Sequence, residues 1–224
     1  MPFAGTVRGV SVHVDGTVPY PWPYDGLVDG ASLALVLAGW DECWSARVAA
    51  PHLGLAVSAA TTLAGEVAAG GGMVVALAHR GAVPLGRPTP SALTVRADGL
   101  DGCFGGPLEP ELRRRGRTHV IVAGLGLEGP VHSTLRSLND RGFECLLVTD
   151  ACAPLDAALG VAAAGMVTMS GGIFGAVGTL APTLAALTAP TAPTAPTAPT
   201  APTAPTDLAG RASPAPNPSP QEEP

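Results

Sequence analysis

This sequence predicts an α/β domain built on a parallel sheet, and three observations predict it. Residues 118–150, THVIVAGLGLEGPVHSTLRSLNDRGFECLLVTD, read as strand, glycine-rich turn, helix and strand. Two further apolar runs, residues 33–38 and 73–78, have strand length and no polar alternation, the pattern of strands buried on both faces. The 224 residues are 46% apolar but only 4% aromatic, so the core filling is mostly Ala, Val and Leu. A strand–helix–strand unit requires a parallel sheet and a right-handed crossover.

The elements follow in order. Residues 1–18 are glycine-punctuated and weakly patterned, which predicts a mobile N-terminal arm. Residues 19–26, PYPWPYDG, carry three prolines with Tyr20, Trp22 and Tyr24. That composition excludes helix and central strand. Such a segment lies across a protein surface or a neighbouring subunit, or serves as a motif for a proline-binding module. Residues 33–38 are the first strand. Residues 45–69 are helical, interrupted near Pro51 and Gly54, and 73–78 form the second strand. Residues 79–90 form a loop, 93–95 a short third strand, 99–106 a loop and 108–115 a short helix. Within the central unit, 119–123 is a strand, Pro130 suits the first turn of a helix, 131–141 is that helix and 143–148 the next strand. Residues 154–165 are an alanine-rich helix, 166–169 a last strand and 179–187 a last helix. From Thr188 to Pro205 the triplet Thr-Ala-Pro repeats six times. Proline at every third position excludes helix and sheet, so residues 188–224 are expected to be a disordered tail.

The totals bound the function. Net charge is −6, which argues against nucleic acid, since phosphate contacts need clustered cations. The cluster Arg113, Arg114, Arg115 and Arg117 sits where a helix ends, facing its dipole. All twelve basic residues are arginine, so no mechanism in this chain uses a lysine amine. Cys43, Cys103, Cys145 and Cys152 form no C-x-x-C pair and no zinc spacing. His52, His79, His119 and His132 show no close pairing with acids, and His13 lies in the arm; no metal and no cofactor is expected. Residues 48–65 lack charge, but Pro51, His52 and the Ser/Thr content favour a buried helix over a membrane span. Without a secretory signal, a reduced cytoplasmic protein is expected.

Gly124, Gly126 and Gly129 spell G-x-G-x-x-G between strand and helix, and Asp150 follows Gly129 by 21 residues. That is the spacing of a dinucleotide fingerprint, in which the acid takes a ribose hydroxyl. The alternative is that these glycines only permit a tight turn. Glu128 in the same turn counts against a phosphate.

Three segments together resemble the isochorismatase-like cysteine hydrolases, and most closely their biuret amidohydrolase branch. They are residues 19–26, residues 138–153 (LNDRGFECLLVTDACA) and residues 166–177 (MVTMSGGIFGAV). The resemblance covers residues 19–187. It implies a three-layer α/β/α domain with a central, mostly parallel sheet of Rossmann-like topology. It also implies an Asp, Lys and Cys at the sheet's C-terminal edge, where a thiolate attacks an amide carbonyl, the Asp acts as base and backbone N–H groups hold the oxyanion.

Carried over residue by residue, the aspartate position is Gly39, with Asp41 the nearest carboxylate. The lysine position falls near Arg96 and Ala97, better at Ala97, and arginine does not replace lysine freely. The cysteine of the family motif falls at Pro130, while the acid before it survives as Glu128. The leading reading is therefore a catalytically degenerate relative, a homo- or hetero-oligomeric partner of related hydrolase chains. A second reading is an active amidohydrolase on a small C–N substrate, with Cys43 or Cys103 as relocated nucleophile and Asp41, Asp98 or Asp101 as base. A third is a nucleotide-binding module using Gly124, Gly126, Glu128 and Gly129.

Overall fold

The computed structural model describes residues 12–189. Residues 1–11 and the Thr-Ala-Pro tail from 190 onward lie outside the described residues. Six strands form one sheet: β1 (Leu33–Ala38), β2 (Met73–His79), β3 (Leu93–Ala97), β4 (His119–Leu125), β5 (Glu144–Ala153) and β6 (Ala176–Gly178). Their order is β3-β2-β1-β4-β5-β6, and every neighbouring pair is parallel. The sheet is flanked by helices in a three-layer α/β/α arrangement. All residues of β1 and β4 are buried, which is why β1 and, after His119, β4 read as unbroken apolar runs.

The helices are α1 (Glu42–Ser45), α2 (Ala50–Ala69), α3 (Leu108–Arg114), α4 (His132–Asp140), α5 (Ala157–Met169) and α6 (Leu180–Thr188). Pro51 sits in the first turn of α2, so it starts that helix rather than interrupting it. The uncharged α2 buries Ala56, Ala60, Leu63, Ala64 and Val67. Among the described residues no helix is long and apolar enough to cross a membrane. Arg141 Nε donates to Glu109 at 2.9 Å, tying α4 to α3.

Two expectations at the end of the domain are corrected. Residues 166–169 are not a strand but the last turn of α5. Asp156 caps that helix by accepting from the backbone N–H groups of Ala158 and Leu159, and only Val167 of the four turns inward to the core. The real last strand is Ala176–Gly178, three residues that pair with Leu146, Leu147 and Val148. So short a strand leaves no readable period. Strand β5 also runs on to Ala153, past a register shift opposite Val122 to Gly124.

Within the expected N-terminal arm, residues 12–18 are packed. Val14 pairs with Trp22, and Val18 pairs with Val177 along the β6 edge. This covers backbone that an edge strand otherwise presents for aggregation. Trp22, at the centre of PYPWPYDG, is fully buried and meets the His119 ring edge-on at 6.0 Å. Tyr20 is half-buried, and burial beside Glu144 pushes its hydroxyl pKa up.

A testable consequence concerns this segment. Trp22→Ala is expected to lower the unfolding free energy by about 3–5 kcal/mol, the cost of emptying a large aromatic site, in urea denaturation. A loss below about 1 kcal/mol would mean that the segment contributes nothing to the fold.

Candidate functional site

In this sheet the strand order reverses between β1 and β4, and the C-terminal ends of those strands open the crevice where such folds place their ligands. The two strands run in register, Ala38 opposite Gly124. Gly39 leaves β1 there, and the turn that follows β4 begins at Gly126. Ala97 ends β3, opposite His79 of β2. The structure brings Gly39, Ala97 and Pro130 to the walls of one cavity, together with Asp41, Trp44 and His79. Its volume is about 10 Å³, at the lower limit for a single water.

The closure has a local cause at each wall. Gly39 has φ +64°, and a Cβ there would lie 2.4 Å from Leu125 O and 3.0 Å from Pro130 Cγ. The strand-to-loop turn has closed onto Pro130, so an aspartate at 39 has no space. Beyond Leu125, residues Leu127–Val131 make a wide π-type turn that contains Pro130 and runs into α4. Gly126, with φ +69°, lies so close beneath Trp44 that an added Cβ would meet its Cε3 at 2.6 Å. Gly129 lies against the same indole, and Arg47 stacks on Trp44 with its guanidinium carbon 4.8 Å from the ring centroid. Two of the turn's backbone donors are occupied too. Gly126 N–H donates to Ala153 O at 2.8 Å, and Gly129 N–H donates to Gly126 O at 2.9 Å.

The carboxylates near the crevice all hold backbone or cations. Asp41 is fully buried. It caps α1 by accepting from Trp44 N–H at 3.2 Å, and it accepts from His79 N–H at 2.8 Å. Asp41 therefore ties the Trp44 lid to the end of β2. Glu128 turns away from the crevice and accepts from the backbone N–H groups of Leu155 and Asp156 at 2.8–3.1 Å. Asp98 pairs with Arg80. Asp101 accepts from Cys103 N–H and from the Ser137 hydroxyl at 2.8 and 2.7 Å. Asp150, the fingerprint acid, accepts from Leu180 N–H at 2.7 Å at the start of α6. Arg96 points out of the cavity and donates to Ala82 O at 2.8 Å, which leaves Ala97 as the residue that faces in.

Three of the four cysteines are far from activated. Burial, with Asp101 beside it, pushes the Cys103 thiol up to about 11. Burial pushes Cys152 up to about 12 and raises Cys145 as well. Cys43 is exposed on α1. The expectation that the histidines lie apart from acids is corrected at one position. His119 Nε2 lies 3.3 Å from Glu144 and 3.5 Å from Asp25. Glu144 and Asp25 are separated from His119 by 25 and 94 residues of chain, so no spacing rule could join them.

Two expected outcomes test this site. Asp41→Ala leaves two part-buried N–H groups without this acceptor and is expected to cost about 1 kcal/mol or more in total, read by urea denaturation. Asp41→Asn, which keeps an acceptor, should recover part of the loss. For Cys103, the alkylation rate with iodoacetamide should climb roughly tenfold per pH unit up to about 11, because the thiolate is the reacting form. A plateau near pH 7–8 would show an activated thiol and would restore Cys103 as a nucleophile.

Residues 78–181 match the family model of the isochorismatase domain. Solved structures with the same fold include an isochorismatase family protein from Burkholderia thailandensis (21% identity, TM-score 0.60, covering 70% of this chain and 96% of that one). A cysteine hydrolase from Pseudomonas syringae pv. phaseolicola 1448A superposes with TM-score 0.64 at 16% identity over 76% of this chain and 96% of its own. The nicotinamidase of Staphylococcus aureus superposes with TM-score 0.57 at 15% identity, over 66% and 98%. Residues 78–181 of this chain are thus similar to the isochorismatase domain, and the chain has the fold of these isochorismatase-family and cysteine hydrolase structures.

Proposed function

We propose that this chain is a non-catalytic member of the isochorismatase-like hydrolases that acts as an assembly partner, for copies of itself or for related hydrolase chains. The observation that carries the reading is the closed crevice. Positions 39, 97 and 130 meet at one cavity of about 10 Å³, and none of Gly39, Ala97 and Pro130 offers a base, a cation or a nucleophile. A small amide needs room for its own atoms and for a tetrahedral adduct, with free N–H donors aimed at the oxyanion. Trp44 lies over the turn, and the N–H groups of Gly126 and Gly129 are already bonded. The same two facts weigh against a nucleotide at this turn.

Support for the assembly role comes from α5. The helix AALGVAAAGMVTM has no charged residue. Leu159, Met166 and Met169, spaced seven and three apart, share one helix face and are exposed, Met169 by 85%. Ile173, 72% exposed, continues beyond the helix end. A row of exposed large apolar side chains is the usual mark of a protein–protein surface. The motifs at 19–26, 138–153 and 166–177 support a reading nearest the biuret amidohydrolase branch.

The test is an ammonia-release assay on the purified full chain with nicotinamide and small aliphatic amides, run beside light scattering of its mass. No release above buffer is expected, together with a mass above that of the monomer that falls in Met169→Glu. Amide turnover that iodoacetamide abolishes would overturn the non-catalytic reading, and mass spectrometry would locate the labelled cysteine. A monomer unchanged by Met169→Glu, and no co-elution with a related hydrolase, would overturn the assembly role.

A further inference from the structure

We propose that Asp25, His119 and Glu144 form a three-ligand site for a divalent metal ion of the zinc class, at the edge of the sheet opposite the closed crevice. His119 opens β4 and Glu144 opens β5, and the parallel register sets them side by side. Asp25 arrives from the PYPWPYDG segment. One ligand atom from each residue lies within 4.8 Å of the other two.

The two spacings from His119 match those between ligands on one ion. His119 Nε2 lies 3.3 Å from Glu144 Oε2 and 3.5 Å from Asp25 Oδ2. A charge-assisted N–H···O bond is about 2.7–2.9 Å. Two ligands on a tetrahedral zinc with arms of about 2.0–2.1 Å lie about 3.3–3.4 Å apart. His119 is only 8% exposed, and its Nε2 is within reach of a carboxylate oxygen of both Glu144 and Asp25.

The groups outside the cluster select those atoms. Thr118 Oγ1 sits 3.0 Å from His119 Nδ1. With Nδ1 protonated toward that hydroxyl, the Nε2 lone pair is free to coordinate. Asp25 Oδ1 accepts from Leu27 N–H at 3.0 Å, which leaves Oδ2 for the ion. Glu144 Oε1 accepts from Tyr24 N–H, which leaves Oε2. Each ligand is thus held by its other polar atom, the outer-shell arrangement that orients metal ligands. Trp22 packs against the imidazole and limits its rotation. Two carboxylates and a neutral imidazole carry two negative charges, which a dication neutralises. Mixed nitrogen and oxygen ligands suit zinc, with water in the fourth position. Asp25 is 49% exposed at its side chain, so an ion has a path in. A bound ion would clasp residues 12–26 to the starts of β4 and β5.

The experiment uses the full chain, stripped with a chelator and dialysed. Zinc sulfate is titrated at pH 7.5 by calorimetry, and thermal unfolding is followed with and without zinc. Expected are one tight zinc per chain, a rise in Tm, and at least about tenfold weaker binding in Asp25→Asn and Glu144→Gln. Asp25→Asn changes a partly exposed side chain, and its far-UV circular dichroism should match the native chain. No zinc binding by the native chain would overturn the proposal. So would binding in both variants equal to native, since the ion would then sit elsewhere, for example at the exposed Cys43.

Discussion

Strand β1 is the constraint on which the rest of the domain depends. Its six residues are buried on both faces and paired on both sides, with β2 and with β4. A central strand of a parallel sheet admits no polar side chain and no change of register without moving its whole hydrophobic set. The pairing puts Ala38 beside Gly124, and so fixes where both chains leave the sheet. The crevice, the turn after β4 and the loop carrying Trp44 inherit their positions from that register.

What fills the crevice is then a matter of backbone approach. Gly39 lets the chain after β1 come against Leu125 and Pro130, and Gly126 lets an indole lie on the turn. Both contacts exist because the Cβ is missing. Asp41 converts this closeness into a fixed arrangement. One carboxylate oxygen holds the start of α1, which carries Trp44, and the other holds the end of β2. A buried carboxylate with a backbone donor on each oxygen is a structural tie. Gly39, Ala97 and Pro130 thus line a space that the surrounding packing has already filled.

The opposite edge of the sheet follows a different logic. There the segment from residue 12 to 26 lies along β6 and across the starts of β4 and β5, anchored by Trp22. Polar atoms concentrate at that edge: Thr118, His119, Glu144 and Asp25 meet within a few residues of one another in space. The C-terminal edge has been packed shut with apolar rings and glycines, whereas the N-terminal edge keeps charged groups partly open to solvent.

The strands with unbroken apolar runs were legible in the sequence, because burial on both faces leaves one composition. The strand–turn–helix–strand unit at 118–150 was legible too, because glycine and proline act locally on the backbone. Other features needed the fold. Strand β6 has three residues and pairs only because β5 lies beside it, while residues 166–169 stay helical because α5 continues through them. Asp150 matched a fingerprint in spacing, yet in space it caps α6. That Trp44 covers the glycine turn, and that Asp25 reaches His119 across 94 residues of chain, follows from long-range packing. Local composition determines where chain segments stiffen or turn; only the register of the assembled sheet decides which distant side chains share a site.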